Sequence, residues 1–459
     1  MASRPAKPEK SASRAPLTQW YNSGALSTLF VVAATYLFFA VTYQASHVFG
    51  LSVPLLSRLP RPSFLQPKAA AIPSHAQVID QRAFNALPHV PPSTEFNGTG
   101  KPFIPPGHTL DSLKARPFHI YDPAFAALLG PDPTLTRIAV SDKDPLFHEA
   151  VVWSRGTDEV FFVQNAGAPD AGTGLAKSAI IQKISLRDAQ AAADRKKAGA
   201  GDADTVVPVA VVDASPQVVN PNGAANYRGQ ILFAGEGMGP DVPSALYAMH
   251  PRPPYNTTVL LNNYFGRQFS SLNDVAVHPA SRHVYFTDTL YGFLQDFRPA
   301  PGLPNQVYRW NDATGAVTVV ADGFTLPNGL AFSPDGRHAY VSDTGMHHGL
   351  RGFDARDPAT IYRFDVRADG TFDNRKTFAH VDAVVPDGVH CDAEGNVYAG
   401  CGDGVQVWNP AGTLLGKIFL GTGAANFQFA GAGRMVVCAE TELYYVTLAA
   451  VGAVVEEEM

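Results

Sequence analysis

The chain has 459 residues, 46% of them hydrophobic and 17% charged, with a formal net charge of −6. Its 40 glycines and 37 prolines argue against a helical bundle, since both residues weaken helix interiors, and no G-X-Y period points to collagen. Cys391, Cys401 and Cys438 are too few for a disulfide scaffold and lack the second Cys/His pair of a zinc site, while the acidic balance leaves no basic footprint for nucleic acid.

At the amino terminus, residues 1–23 form a basic tail in which Arg4, Lys7, Lys10 and Arg14 face the single acid Glu9. No charged side chain occurs from Ala15 to Ser57, and Gly24–Tyr43 is almost wholly apolar and aromatic. Twenty helical residues span about 30 Å, the thickness of a bilayer's hydrocarbon core. Residues 24–45 are therefore expected to be a signal anchor. The basic flank is expected on the cytoplasmic side and the bulk of the chain in a lumenal or extracellular space. A cleaved signal, which would leave a secreted protein, is the main competing reading, although the apolar run exceeds the usual signal core. Residues 46–110 are expected to be a spacer, because residues 51–110 hold eleven prolines. Two glycosylation sequons, Asn97-Gly98-Thr99 and Asn256-Thr257-Thr258, suit an exported body.

A repeat organises residues 111–459. A β-branched or aromatic strand with a small polar tail recurs as EVFFVQN (159–165), ILFAGEG (231–237), HVYFTDT (283–289), HAYVSDT (338–344), NVYAGCG (396–402) and MVVCAE (435–440). Each copy is followed by a second strand-like segment, and turn signals such as Pro334-Asp335-Gly336, Asp369-Gly370 and Glu394-Gly395 separate strands. Units of roughly fifty residues without crossover helices predict an all-β fold, a six-bladed β-propeller. An insertion at 186–205 reads as a polar helix followed by a flexible loop.

Ahead of each copy stands an oxygen-bearing side chain at nearly constant offset. With Phe161, Phe233, Tyr285, Tyr340, Tyr398 and Val436 as equivalent positions, Glu149, Asn273 and Asn328 each lie 12 residues before theirs, Asn222 and Asp387 lie 11 before, and Asn426 lies 10 before. Equal offsets in equivalent units place these groups at one height, where the innermost strand of a blade faces the central channel. Carboxylate and amide oxygens without Cys or His suit Ca²⁺, and two carboxylates, Glu149 and Asp387, balance one divalent ion. Asn-Gly and Asp-Gly pairs are also ordinary turn formers, but turns alone do not explain their recurrence in phase.

At these residues the sequence resembles the SMP-30/gluconolactonase/LRE-like family, and within it the microbial lactonohydrolases. The segments that carry the resemblance are HEAVVW (148–153), SLNDVAVHP (271–279), YFTDTLYGFLQDFRP (285–299), LPNQVYRW (303–310), LPNGLAFSPDGRHAYVSDT (326–344) and PDGVHCDAEGNVYAGCGDGVQVW (386–408). The resemblance implies a propeller with one divalent metal in its channel that opens lactone rings with water. Its metal ligands would be Glu149, Asn273, Asn328 and Asp387, with Asp387 also the general base. Ca²⁺ is the first choice of ion, with Zn²⁺, Mg²⁺ or Mn²⁺ as alternatives. Two features depart from the family pattern. Ala150-Val151 replaces Gly-Pro after the glutamate, and Ser271-Leu272 stand where the family carries a sugar-binding arginine before Asn-Asp.

His148 and His390 flank two expected ligands, but strand parity turns the neighbour of a channel-facing residue away. Both are therefore expected to be structural, and His347-His348 to be a solvated loop. Trp153, Tyr308, Trp310 and Trp408 are expected to pack between blades. No G-x-S-x-G elbow occurs, and Val152 stands where an H-E-x-x-H zinc site needs its second histidine. The competing functions are an arylesterase-like or strictosidine-synthase-like enzyme on the same fold, or a silent propeller that serves as a binding platform.

Overall fold

A computed structural model describes residues 71–90, 92 and 102–453. The tail, the apolar segment 24–45 and the Asn97 sequon lie outside the described residues. Among those described, no helix is long and apolar enough to cross a membrane.

Six antiparallel sheets build the body, each formed around a four-stranded meander. Blade one runs from its inner strand Glu149–Ser154 through Glu159–Val163 and Ile181–Ser185 to Ala210–Val212. The inner strands of the next five blades are Pro221–Tyr227, Leu272–Val277, Pro327–Phe332, Val389–Cys391 and Asn426–Phe429. The six repeated segments are the second strands. They are almost wholly buried because neighbouring blades cover both faces, and for that reason they read as unbroken apolar runs.

Outer strands are wetter, as in Phe372–His380, whose middle four residues are exposed. Apolar residues sort into separate layers between successive blades. One layer joins Phe161 and Val163 of blade one to Ile231 and Phe233 of blade two. Another joins Tyr398 and Val405 of blade five to Phe427 and Met435 of blade six. Tyr308, Trp310 and Trp408 are buried in such layers, as expected, whereas Trp153 is only partly buried and donates its Nε1–H to Asp158 at 3.1 Å.

The ring closes through Thr134–Val140, which pairs antiparallel with Glu442–Val451 as the outer strand of the last blade. Its contribution from the start of the domain joins the two ends of the ring. The spacer read over residues 46–110 needs correction. Ala76–Val78 runs parallel to Phe118–Ile120, which in turn pairs with Leu414–Phe419, so blade five has six strands. The reason is the uncovered edge of Leu414–Phe419, whose backbone groups the segment satisfies.

The insertion at 186–205 needs a second correction. Ser185 caps the helix Leu186–Lys197, and Leu186, Ala189, Ala192 and Ala193 are buried along one face, in the layer that holds Leu443 and Tyr445. The half read as a flexible loop ends in a 3-10 turn, Asp202–Thr205, and Thr205 is fully buried with its hydroxyl on the Arg137 carbonyl at 2.9 Å. At Gly336 the expected turn forms with φ +69°, and a Cβ there would lie 2.8 Å from the His278 ring. Glycine is required at that position on both grounds.

Candidate active site

Every blade contributes to a cavity of about 210 Å³ at one end of the central channel. Glu149, Asn222, Asn273, Asn328 and Asp387 all line it, so five of the six in-phase oxygen residues converge. Asn426 is the exception. Its Nδ2 donates to Glu149 Oε2 at 2.5 Å, and its Oδ1 accepts from the Phe427 amide at 2.7 Å. It buttresses a ligand candidate from behind.

A shared backbone device aims these side chains. In blades one to four the inner strand slips register against the second strand, between Glu149 and Val152, Pro221 and Ala224, Leu272 and Val275, and Pro327 and Leu330. Such bulges re-aim side chains beside active sites. The glycines after three of the residues answer to crowding and not to turns. A Cβ on Gly223 would lie 2.5 Å from the Asn273 carbonyl oxygen, one on Gly329 2.3 Å from that of Asp387, and one on Gly388 2.5 Å from the Asn426 side chain. Each inner strand thus presses its glycine against the next blade's ring residue. The polar tails of the repeated strands complete the ring, since Thr287 donates to the Asn328 carbonyl at 2.9 Å and Ser342 to that of Asp387 at 2.8 Å.

Electrostatically the ring sets two carboxyl groups against each other. Glu149 is buried and Asp387 half-buried in the cavity wall. Burial and the Asp387 charge push the Glu149 carboxyl well above its usual value, and burial raises Asp387 to about 6. Asp274, one residue past Asn273, is raised to about 7 by burial while accepting the Val275 and Leu330 amides at 2.8 and 2.7 Å. Two buried oxygens, Asn273 Oδ1 and Asp387 Oδ1, have no hydrogen-bond partner. Unpartnered oxygens beside two converging carboxylates fit a hard divalent cation. Among the described residues no three His, Cys, Asp or Glu side chains gather as a metal cluster, so such a cation would depend on the amides.

The parity argument fails for His148. This residue sits just before the inner strand and lines the cavity, with Nδ1 2.8 Å from Glu440 Oε1. Burial opposes its charge, but Glu440, Glu149 and Asp387 overrule it, and the imidazole is pushed up to about 10. His390 behaves as expected. It lies below the ring, 3.3 Å from Asn426 Oδ1 and edge-on to Phe427, and burial lowers it to about 4. His347 lines the cavity instead of standing in solvent, with its ring 4.5 Å from that of Phe353.

Glu236, Glu440, Asn165 and Tyr291 also line the cavity and had not been singled out. The first three occupy polar tails of repeated strands (ILFAGEG, MVVCAE and EVFFVQN), so the signal lay in the repeat itself. Ser271 donates to Glu236 Oε1 at 2.7 Å, and burial raises the Glu236 carboxyl to about 7.

A six-bladed propeller whose inner strands gather carboxylates and amides around one channel mouth defines a class of channel-centred propeller proteins with a hydrolase-like site. Residues 245–441 match the model of the SMP-30/Gluconolactonase/LRE-like region. It is 27% identical over 357 residues to the lactonohydrolase oryH of Aspergillus oryzae, spanning 62% of this chain and 70% of that protein. It is 32% identical over 192 residues to the lactonohydrolase oryL of the same organism, spanning 39% of this chain and 44% of that one. A solved gluconolactonase from Xanthomonas campestris superposes with a TM-score of 0.53 at 24% identity, over 72% of this chain and 94% of that chain, a likeness of fold.

Proposed function

We propose that the protein is a lactonase, a carboxylic ester hydrolase that opens the ring of a lactone with water in the upper cavity. The observation that carries the reading is the pair of converging carboxylates, Glu149 and Asp387, beside the unpartnered oxygens of Asn273 and Asp387. The family-model match over residues 245–441 and the two lactonohydrolase relatives support the same chemistry. A binding platform has no need to hold two carboxylates together against their mutual repulsion.

Glu149, Asn273, Asn328 and Asp387 would hold one divalent cation, with Ca²⁺ the ion best matched to an all-oxygen set. When bound, that cation supplies Lewis-acid polarisation of the lactone carbonyl. The chain's own part is to place water and move protons. Asp387 is the general base, taking a proton from the attacking water on a carboxylate oxygen that the cation would leave free. Asn426 holds Glu149 in place through the Oε2 contact. A second proton carrier is favoured by the His148–Glu440 pair, which fixes the ring through Nδ1 and leaves Nε2 to protonate the departing alkoxide oxygen. The apolar segment 24–45 would tether the enzyme to a membrane, with the propeller on the lumenal or extracellular side.

The test is a lactone hydrolysis screen with and without chelator on wild type, Asp387→Ala and His148→Gln. Turnover that survives chelation, or full activity in Asp387→Ala, would remove the proposed mechanism. Inactivity of the wild type on aliphatic, sugar and aromatic lactones would return the fold to a binding role.

A further inference from the structure

Four carboxyl groups line the upper cavity: Glu149, Glu236, Asp387 and Glu440. Three have tasks in the reading above, two toward a cation and one toward His148. Glu236 has none. It follows the second strand of blade two, and its backbone amide is tied to the Asn220 carbonyl at 2.8 Å. The Ser271 hydroxyl donates to Oε1 while itself accepting the Gly292 amide at 3.1 Å, so the carboxyl is held from two neighbouring elements. Oε2 has no hydrogen-bond partner among the described residues.

Cations are scarce here. The basic side chains lining the cavity are His148 and His347, and the first is already paired. Arg298 stands behind the wall but spends its donors on the carbonyls of Gly239, Val242, Phe269 and Ser270 and on Gln268 Oε1. It cannot take the part of the arginine that Ser271 replaces. Across the cavity, Val384, Val385, Ala424 and Ala425 form an apolar wall.

We propose that Glu236, oriented by Ser271, determines specificity: it accepts a hydrogen bond from a hydroxyl of a neutral lactone and turns anionic lactones away. The inference rests on the lactonase reading and adds the substrate class. A carboxylate with one oxygen satisfied and one free is matched to a hydroxyl donor, while a substrate carboxylate, phosphate or sulfonate in the hydroxyl's place would meet a like charge at short range.

The experiment compares kcat/KM at pH 8 for three γ-lactones: galactono-1,4-lactone, which is hydroxylated and neutral; γ-butyrolactone, which is bare; and paraconic acid, which carries a carboxylate. For Glu236→Gln the hydroxylated lactone is expected to lose about 10- to 100-fold, the scale of one hydrogen bond to a charged group. γ-Butyrolactone should stay within about threefold and paraconate should improve. Ser271→Ala should move the three substrates in the same directions by less, with an unchanged melting temperature as the control on folding. Equal losses on all three lactones, or no change on the hydroxylated one, overturn the proposal. Wild-type turnover of γ-butyrolactone without turnover of galactonolactone also overturns it while leaving the lactonase reading intact. No turnover of any lactone removes the lactonase reading and this inference with it.

Discussion

Two of the places where the propeller gathers charge treat it in opposite ways. On blade five, Lys417 lies between Asp382 and Asp403, with Nζ 2.7 and 2.8 Å from their carboxylates, and its side chain is 4% exposed. Gln406 donates to both acids. There the ammonium holds the Asp382 carboxyl below its usual value against the effect of burial, and the lysine is raised despite its burial. At the upper channel mouth, Glu149 and Asp387 face each other with the imidazole of His148 as their cationic neighbour, and both are pushed up. A cluster complete in itself is structural. At the channel mouth the carboxyl groups outnumber the charged imidazole, the imbalance that the proposed cation would relieve.

Breaking the complete cluster should have the largest effect on stability. Lys417→Met leaves the Asp403 carboxylate buried without its partner, and a loss of about 3–5 kcal/mol is expected in urea unfolding. If the variant melts with the wild type, the cluster is not the lock described. The incomplete cluster should respond with the opposite sign. Asp387→Asn removes half of a repelling pair, so in chelator this variant should unfold at higher urea than wild type. Its lactone hydrolysis should fall by about 10²- to 10⁴-fold. A variant that is both less stable in chelator and still active would erase the contrast.

This contrast was only partly legible in the sequence. The in-phase offsets of Glu149, Asn273, Asn328 and Asp387 were readable because each belongs to a strand start repeated once per blade, and periodicity survives in one dimension. Asn426 has the same phase but points behind the ring, because its amide serves Glu149 across 277 residues of chain. His148 was misplaced because parity assumes a regular strand, and the bulge after Glu149, where Ala150 takes φ +52°, removes that regularity. Glu236 and Glu440 sat in plain view within the polar tails. Equivalent tails in blades three and four carry Asp288 and Asp343, which accept backbone amides of Ser270, Ser271, Thr325 and Leu326. Composition cannot tell a tail that ties a loop from one that faces the cavity. The pairing of Ala76–Val78 with Phe118–Ile120 was hidden by the prolines around it.

A milder variant sharpens the account of the ring. Asn426→Ala leaves the four ligand candidates in place but takes the Nδ2 donor from Glu149. Loss of such a supporting contact typically weakens metal affinity by about 10- to 100-fold. Calcium titration followed by thermal shift should show this, with kcat at saturating calcium much less affected. An affinity equal to wild type would mean that Glu149 needs no support or holds no ion.

The smallest effect expected is in the pH dependence of the calcium-induced gain in melting temperature. Without a cation, Asp387 at about 6, Asp274 at about 7 and Glu149 above its usual value all bind protons more tightly folded than unfolded, where such carboxyls titrate near pH 4. Their contribution is therefore fully present below about pH 4 and is lost as pH rises through 6 to 7. His148 faces the same groups and shifts in the same sense; its contribution is full below about pH 6.5 and is lost progressively from there to about pH 10, so it adds to the loss in the upper part of this window. Glu440 is already satisfied by His148. Raising the pH from 5 to 8 in chelator should therefore cost the ring stability that calcium restores, because the ion replaces the protons. The gap between melting temperatures with calcium and with chelator should widen steadily over that range. A gap that stays constant or narrows would mean that the carboxylates of the channel mouth are already balanced by the chain itself, as those around Lys417 are.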